Sequence, residues 1–348
     1  MTSDHQLDLK ALRGWLDRYL DAPTDGDLTA RLIAGGRSNP TYTVDDGDRT
    51  WILRRPPHGN VLPTAHDMAR EHRVLAALAD SAVPVPQVVG PVGDPDVIGA
   101  PFYVMDRLPG TTLRTVDDSA RLTPEQRRAL GLRLVDVLAA LHSIDPADVG
   151  LADFGRPDGY LERQLRRWQR QWDASATRER PEVDEILRRL AATRPASRRL
   201  GIVHGDFKLD NVMVDSVAPD HVLGLLDWEM STLGDTDADL GILCSFWEDP
   251  GGAPHPITAG STTLEGFPTR DELVEHYAAA RGIEVPQVTW YRAFADLKIA
   301  VILEGIHARH RAGHTVGEGF DGIGDMTAPL LDRALALTSA GSASTLPR

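Results

Sequence analysis

The 348-residue sequence contains a single cysteine, Cys244, and only three lysines. One cysteine excludes an intrachain disulfide and any metal site built from several thiolates. The sequence has no run approaching the roughly 18 apolar residues of a membrane span. Its first residues, MTSDHQLDLKAL, lack the basic and apolar regions of a secretion signal. We therefore expect a soluble, cytoplasmic protein with no membrane partner.

Positive charge is also scarce, because 51 Asp and Glu outnumber 37 Lys and Arg and give a formal net charge of −14. Nucleic acids bind basic patches, where contacts with phosphates release counterions. The charge thus argues against a nucleic-acid partner and is compatible with a cationic substrate. A hydrophobic content of 42% is enough for a sizeable core, and the length allows two domains or one bilobal domain.

The residues that indicate chemistry lie in positions 201 to 241, GIVHGDFKLDNVMVDSVAPDHVLGLLDWEMSTLGDTDADLG. Two apolar runs, Val212 to Val214 and Val222 to Leu226, flank a turn with Pro and Asp and predict a β-hairpin. The hairpin is expected to bring three polar side chains together at one of its ends: Asp206, Asn211 and Asp227.

Such a group suits phosphoryl transfer. An acceptor hydroxyl needs a carboxylate to take its proton, and a triphosphate needs Mg²⁺ held by an acidic residue and an amide oxygen. Asp206 is the candidate for the first role, and Asn211 and Asp227 are the candidate metal ligands. Lys208 and His204 complete the catalytic candidates. The alternative is a purely structural turn in which Asp206 caps a helix and Asn211 starts a strand.

Spacing favours the catalytic interpretation. Lys208 and Asn211 follow Asp206 by two and five residues, the offsets of the protein-kinase catalytic loop. Gly205 replaces the Arg of that loop, and Trp228-Glu229 replaces the Phe-Gly after the metal-binding Asp. With HGDFKLDN followed by LLDWEMSTLGD, the sequence resembles the aminoglycoside phosphotransferase family of protein-kinase-like small-molecule kinases. These two motif sequences most resemble those of the branch that is also found fused to acyl-CoA dehydrogenase domains.

The resemblance implies a bilobal α+β fold of the protein-kinase type. Residues 1–105 would form a small nucleotide-binding lobe with an antiparallel sheet, and residues 106–348 a larger, mostly helical catalytic and substrate-binding lobe. Apolar patterns predict short strands around 32–33, 42–44 and 51–53, with an edge strand at 83–89. They also predict helices over 6–21, 64–79, 123–142, two within 158–195, and 291–311.

The turn GGRSNP, with Gly36, Ser38 and Asn39, stands where this fold keeps its phosphate-covering hairpin, whose backbone approaches phosphates only if side chains are small. A hairpin turn without nucleotide is the alternative. At the end of the third strand, Arg54 occupies by resemblance the place of the phosphate-pairing Lys, and Arg55 competes for that role. Ile52 shares a strand face with Arg54 and is expected to line the adenine pocket.

By resemblance, Glu71 pairs with the strand cation, unless it is simply a surface charge. The segment around Met105 and Arg107 resembles the interlobe linker, whose backbone would bind the adenine edge. Asp239 resembles the buried Asp that hydrogen-bonds the catalytic loop in kinase folds.

The predicted function is ATP- or GTP-dependent transfer of the γ-phosphoryl group, with Mg²⁺, to a hydroxyl of a small molecule. That molecule would be aminoglycoside-like or another metabolite such as a hydroxyacyl-CoA. One alternative is a nucleotide-binding module without catalysis, suggested by the missing strand Lys. A protein kinase is disfavoured, because the chain after Asp227 leaves no room for an activation loop and has no APE sequence. The oligomeric state is left open.

Overall fold

The computed structural model describes residues 7–33, 39–57, 67–313, 315 and 319–340. Within these residues the chain forms ten strands and eleven α-helices. The strands are β1 Thr29–Leu32, β2 Thr41–Asp45, β3 Thr50–Arg54, β4 Val88–Gly93, β5 Phe102–Asp106, β6 Gly110–Thr111, β7 Leu200–Val203, β8 Val212–Asp215, β9 Val222–Leu225 and β10 Thr232–Asp235. The helices are α1 Leu9–Tyr19, α2 Met68–Leu78, α3 Pro95–Ile98, α4 Val116–Ala120, α5 Pro124–Ser143, α6 Tyr160–Ser175, α7 Pro181–Ala192, α8 Asp237–Phe246, α9 Arg270–Arg281, α10 Val288–Arg311 and α11 Thr327–Ala340.

The chain forms two compact units, which we call the first and the second unit. The first comprises Met1–Pro109 and Leu223–Glu229, and the second comprises Gly110–Val222 and Met230–Arg348. An antiparallel sheet in one unit and a largely helical composition in the other confirm the predicted α+β class. The proposed domain boundary after residue 105 stays a prediction.

The first unit is built on an antiparallel sheet with the strand order β1-β2-β3-β5-β4. In β3, Trp51 and Leu53 are buried in the core with residues of α1, while Ile52 and Arg54 lie on the opposite, less buried face. This alternation is the period of two that a half-buried strand requires. The central position of β3 therefore fixes the face on which Arg54 lies.

The predicted edge strand at 83–89 is displaced in the structure. β4 begins only at Val88 and is indeed the edge of the sheet. Pro84 and Pro86 explain the shift, because proline has no N–H to donate to a neighbouring strand.

The core of the second unit is helical. Helix α8 is buried on every side, Cys244 included, as expected for a helix that is enclosed by other elements. Helix α10 packs against both α8 and α11 and supplies much of the same core. No helix in the described part of the chain is long and apolar enough to cross a membrane.

Two short antiparallel strand pairs in the second unit flank residues 204–211, which connect β7 to β8. β7 pairs with β10, with Val203 opposite Thr232, and β6 pairs with β8. The turn after β8 is closed by the Asp215 N–H, which donates to the His221 carbonyl at 2.9 Å.

Candidate active site

The segment His204–Asn211, which we call the catalytic loop, leaves the end of β7 through a left-handed glycine. Gly205 has a φ of +86°, a region that side chains with a Cβ adopt at a cost. A Cβ at this position would also lie 2.6 Å from the Met230 carbonyl oxygen. The close approach explains why glycine stands where protein kinases carry Arg.

Asp239, on the buried helix α8, holds the start of the loop. Its Oδ2 accepts from the His204 N–H at 2.6 Å and its Oδ1 from the Gly205 N–H at 2.8 Å. His142 Nε2 lies 3.3 Å from Oδ2, and its other ring nitrogen lies 2.7 Å from the Tyr277 hydroxyl. Burial by itself raises the pKa of the Asp239 carboxyl, but the hydrogen bond and charge of His142, with further help from His204 and the Gly205 N–H, bring it below its ordinary value. The carboxylate form is the acceptor that two backbone N–H groups require.

Asp206 presents a partly exposed carboxylate at the centre of the loop. Its Oδ2 lies 2.9 Å from Lys208 Nζ and accepts a 2.9 Å hydrogen bond from the Asn211 amide nitrogen. The same amide donates to the Asp206 carbonyl at 2.8 Å, so the amide oxygen is the atom of Asn211 that is suited to a metal. Asp206 does not cap a helix: the short 3₁₀ turn Leu209–Asn211 has Lys208 at its N-cap and no side-chain cap.

His204 lies beneath the loop and is fully buried. Its Nδ1 is 3.2 Å from the Asp206 N–H and accepts from it, and its ring packs edge-on against Phe207. In this structure His204 positions the backbone of Asp206. A direct role for its side chain in proton transfer stays a prediction.

Lys298 on α10 was missed by sequence reasoning as a site residue. It is buried and its Nζ donates to the Gly205 carbonyl oxygen. One signal could have found it: it is one of three lysines in a chain that otherwise uses arginine, and the other lysine outside α1, Lys208, already lies in the motif. Periodicity alone places Lys298 in a helix and says nothing about what it contacts.

In the first unit, Arg54 and Glu71 form a buried ion pair. Arg54 Nη1 lies 2.9 Å from Glu71 Oε2, with the two side chains 11% and 2% exposed. Glu71 reaches it from α2, where it shares the buried helix face with Val74, Leu75 and Leu78. The carboxylate of Asp67 begins this helix by accepting from the Arg70 N–H at 3.0 Å.

Two further donors fix the Glu71 carboxylate. Tyr103, which lies opposite Arg54 in the β3–β5 pair, donates its hydroxyl to Oε2 at 2.9 Å, and Asn39 donates its amide to Oε1 at 2.9 Å. Burial raises the pKa of Glu71, and Arg54 and Tyr103 oppose that shift. Burial lowers the pKa of Arg54, but Tyr103, Glu71 and Asp227 outweigh it and the net shift is upward. Arg54 is therefore a permanent cation.

Asp227 adjoins this pair within the first unit. Its Oδ1 is 3.5 Å from Arg54 Nη2, yet that oxygen is buried and makes no hydrogen bond within the described residues. Asp227 also has a φ of +65°, a strained conformation that is often found at functional positions.

A buried carboxylate oxygen without a donor is suited to a cation, and Mg²⁺ prefers carboxylate and amide oxygens. By its chemistry, each of the two side chains, that of Asp227 and that of Asn211, suits Mg²⁺ as a ligand, and their binding of one ion stays a prediction. In the described part of the chain, no cluster of three or more His, Cys, Asp or Glu side chains is arranged as a metal site.

The remaining predicted residues are distributed as follows. Ile52 lies directly opposite Met105 in the β3–β5 pair, while Arg107 follows the end of β5 and is exposed. Arg55 is buried and donates from Nε to the Pro56 carbonyl at 3.4 Å. Gly36 and Ser38 lie outside the described residues.

An antiparallel sheet with a cation–glutamate pair and a loop that contains Asp206, Lys208 and Asn211 define a phosphotransferase of the protein-kinase-like class. The chain belongs to the phosphotransferase enzyme family, whose model matches residues 29–294. A crystal structure of a proposed aminoglycoside phosphotransferase from Ralstonia eutropha is 30% identical, with a TM-score of 0.81 over 96% of this chain and 99% of that one. A thermostable mutant of the aminoglycoside phosphotransferase APH(4)-Ia, in complex with AMP-PNP and hygromycin B, shares the fold at 15% identity, with a TM-score of 0.61 over 96% of this chain and 99% of that one.

Curated relatives confirm the predicted branch. Acyl-CoA dehydrogenase family member 11 of Gallus gallus is 34% identical over 98% of this chain and 45% of that protein. Family member 10 of Mus musculus is 34% identical over 93% of this chain and 30% of that protein. The chain therefore spans less than half the length of the curated relatives that it matches.

Proposed function

We propose that the chain transfers the γ-phosphoryl group of ATP, or alternatively GTP, to a hydroxyl of a small molecule. The observation that carries this proposal is the geometry of Asp206. Its carboxylate is partly exposed, while Lys208 and Asn211 hold one of its oxygens at 2.9 Å each. A carboxylate fixed in this way is suited to accept a proton from a bound hydroxyl.

In the proposed reaction the acceptor oxygen bonds to the γ-phosphorus, and the bond from that phosphorus to the bridging oxygen of the nucleotide breaks. Asp206 accepts the hydroxyl proton, and the nucleoside diphosphate leaves. Lys208 places a positive charge beside Asp206, and Arg54 offers one to the phosphates. Charge stabilisation and positioning supply most of the catalysis in this type of reaction.

Asn211 and Asp227 are the residues that would hold Mg²⁺. The ion, when bound, neutralises phosphate charge. The buried, unsatisfied Oδ1 of Asp227 supports this assignment. We further propose that Ile52 and Met105 line the adenine pocket, that backbone groups near Arg107 bind the adenine edge, and that the turn with Gly36, Ser38 and Asn39 covers the phosphates.

The acceptor is proposed to be a hydroxyl compound of one of two kinds. The curated relatives carry acyl-CoA dehydrogenase in their names, which supports a hydroxyacyl-CoA. The structural neighbour solved with hygromycin B and the net charge of −14 support a cationic, aminoglycoside-like compound instead.

A panel of hydroxyl compounds tests the proposal. Hydroxyacyl-CoA esters and hygromycin B would each be incubated with ATP or GTP and Mg²⁺, and release of ADP or GDP would be measured. Acceptor-dependent release, lost in Asp206→Asn, would support the proposal. Nucleotide binding without release for any acceptor would favour the alternative, a nucleotide-binding module without catalysis.

A further inference from the structure

Lys298 is a charged side chain in a buried position. It lies in α10 and is 6% exposed, and its Nζ is 5.9 Å from the centre of the Trp168 ring. Burying an ammonium group is costly unless the charge finds a partner. The partner in this structure is the carbonyl oxygen of Gly205, which lies immediately before the carboxylate-bearing Asp206.

That carbonyl belongs to the peptide group that joins Gly205 to Asp206. The oxygen of this planar group accepts from Lys298, and its N–H donates to His204 Nδ1 at 3.2 Å. The preceding peptide N–H is held separately by Asp239 at 2.8 Å. Because a peptide group is planar, fixing both its oxygen and its N–H fixes its rotation, and with it the direction in which the Asp206 side chain leaves the backbone.

Gly205 makes this support necessary. It has a φ of +86°, and glycine restricts the backbone less than any other residue. The close approach of Met230 requires glycine here. Without a Cβ, the backbone of the loop is less restricted at this position. A hydrogen bond from a charged group on a neighbouring helix restores the rigidity.

We propose that Lys298 is a positioning residue for phosphoryl transfer: by donating to the Gly205 carbonyl, it holds the Gly205–Asp206 peptide in the orientation that directs the Asp206 carboxylate toward the acceptor hydroxyl. This inference rests on the proposed function, in which Asp206 accepts the proton. Lys298 itself contacts no substrate in this proposal.

The protonation state of the Lys298 amine supports the same role. Burial lowers the pKa of Lys298 to about 8, against the charges of Asp206 and Asp239, while Arg167 and Lys208 add to the lowering. Below about pH 8 the ammonium makes a charge-assisted hydrogen bond, which is stronger than the bond from a neutral amine. The kcat of the wild type is therefore expected to fall as the pH rises through about 8.

The first test measures amide hydrogen exchange in the catalytic loop and requires no turnover. Amide hydrogen exchange would be followed in peptides that cover residues 201–211 for the wild type, Lys298→Met and a control, Lys10→Met, which makes the same change on the exposed face of α1. We expect faster exchange of the Gly205 and Asp206 amides in K298M and wild-type exchange in K10M. Unchanged exchange in a folded K298M would overturn the proposal even if no acceptor were known.

The second test uses kinetics once an acceptor is found. K298M should lower kcat roughly tenfold to a hundredfold, the range for losing a hydrogen bond to a charged group, while KM for ATP changes less than about twofold. Lys298→Arg keeps a permanent charge. Its kcat should therefore lie between those of the wild type and K298M, and it should not fall near pH 8. Wild-type kcat in K298M, or a wild-type pH profile in K298R, would contradict the inference. Absence of turnover in the wild type would instead count against the proposed function.

Discussion

Arg54 on β3 and Glu71 on α2 form an ion pair of 2.9 Å that is almost completely removed from solvent. The same guanidinium lies 3.5 Å from Asp227. Arg54 thus makes the kind of contact with a helix glutamate that a strand lysine makes in protein kinases. The neighbouring Arg55, the competing candidate, is buried and directs its Nε to the Pro56 carbonyl.

Replacing Arg54 is the first prediction. Arg54→Ala should lower kcat/KM for ATP by roughly one to two orders of magnitude, since a hydrogen bond to a charged group is lost. It should also destabilise the fold by about 3–5 kcal/mol, because Glu71 keeps a buried charge without its cation.

The matched control is Arg55→Ala, measured in the same steady-state and thermal-unfolding assays. It should lower stability but spare most of kcat/KM for ATP, and Arg54→Lys should retain part of the activity. A larger loss of kcat/KM for ATP in Arg55→Ala than in Arg54→Ala would assign the phosphate contact to Arg55. Equal, small losses of kcat/KM in both variants would reject the assignment of Arg54.

Glycine at position 205 gives a second prediction. Gly205→Ala places a Cβ 2.6 Å from the Met230 carbonyl at a φ of +86°, so unfolding free energy and kcat should both fall. Gly14→Ala is the control, because Gly14 lies in α1 with nothing within 4 Å of the added Cβ. That change should stabilise the protein by roughly 0.5–1 kcal/mol. Equal thermal stability of the two variants would show that residue 205 tolerates a side chain.

Magnesium supplies the third prediction. Asp227→Ala should abolish Mg²⁺-dependent nucleotide binding, and Asn211→Ala should weaken it, because both residues are the proposed ligands of an ion that would neutralise phosphate charge. Calorimetric titration with ATP, with and without Mg²⁺, measures this. Asp21→Ala, an exposed carboxylate of the first unit, is the control. Unchanged Mg²⁺-dependent affinity in both variants would reject these ligands.

The lowered pKa of Lys298 predicts a pH dependence of stability. The folded chain releases this proton near pH 8, whereas the unfolded chain keeps it until about pH 10.4. Unfolding free energy rises with pH wherever the unfolded state binds more protons. Relative to Lys298→Met, the unfolding free energy of the wild type should therefore rise by about 1 kcal/mol per pH unit between pH 8 and roughly 10. Denaturant titrations at several pH values would give parallel curves if Lys298 kept its ordinary pKa.

Much of the fold follows from local patterns. The strands around 42–44 and 51–53 appear as β2 and β3, and the long helix that was predicted after Thr123 is α5, with Thr123 in a capping box. Helix α2 differs at its start: the predicted helix begins at residue 64, which lies outside the described residues, and Asp67 caps the helix in the structure. Several Asp and Thr residues near a helix start are equally good caps, so the pattern could not choose between them.

The contacts of the site were harder to foresee. The motif spacing located Asp206, Lys208 and Asn211, because they lie within one short loop. Lys298 and Tyr103 could not be located in this way, since each meets its partner only through tertiary packing, over 93 residues for Lys298 and 32 for Tyr103. The same limit applies to Gly205, whose need for glycine comes from Met230 on another segment.

The most direct test of the whole account is the turnover of Asp206→Asn with an acceptor from the hydroxyl panel. The change keeps the shape of the side chain but removes the proton-accepting charge, so kcat should fall by roughly two to four orders of magnitude. Affinity for the nucleotide with Mg²⁺ should stay near that of the wild type, and Asp220→Asn, an exposed carboxylate in the turn after β8, should leave kcat unchanged. Near-wild-type kcat in D206N would contradict the assignment of Asp206 as the proton acceptor.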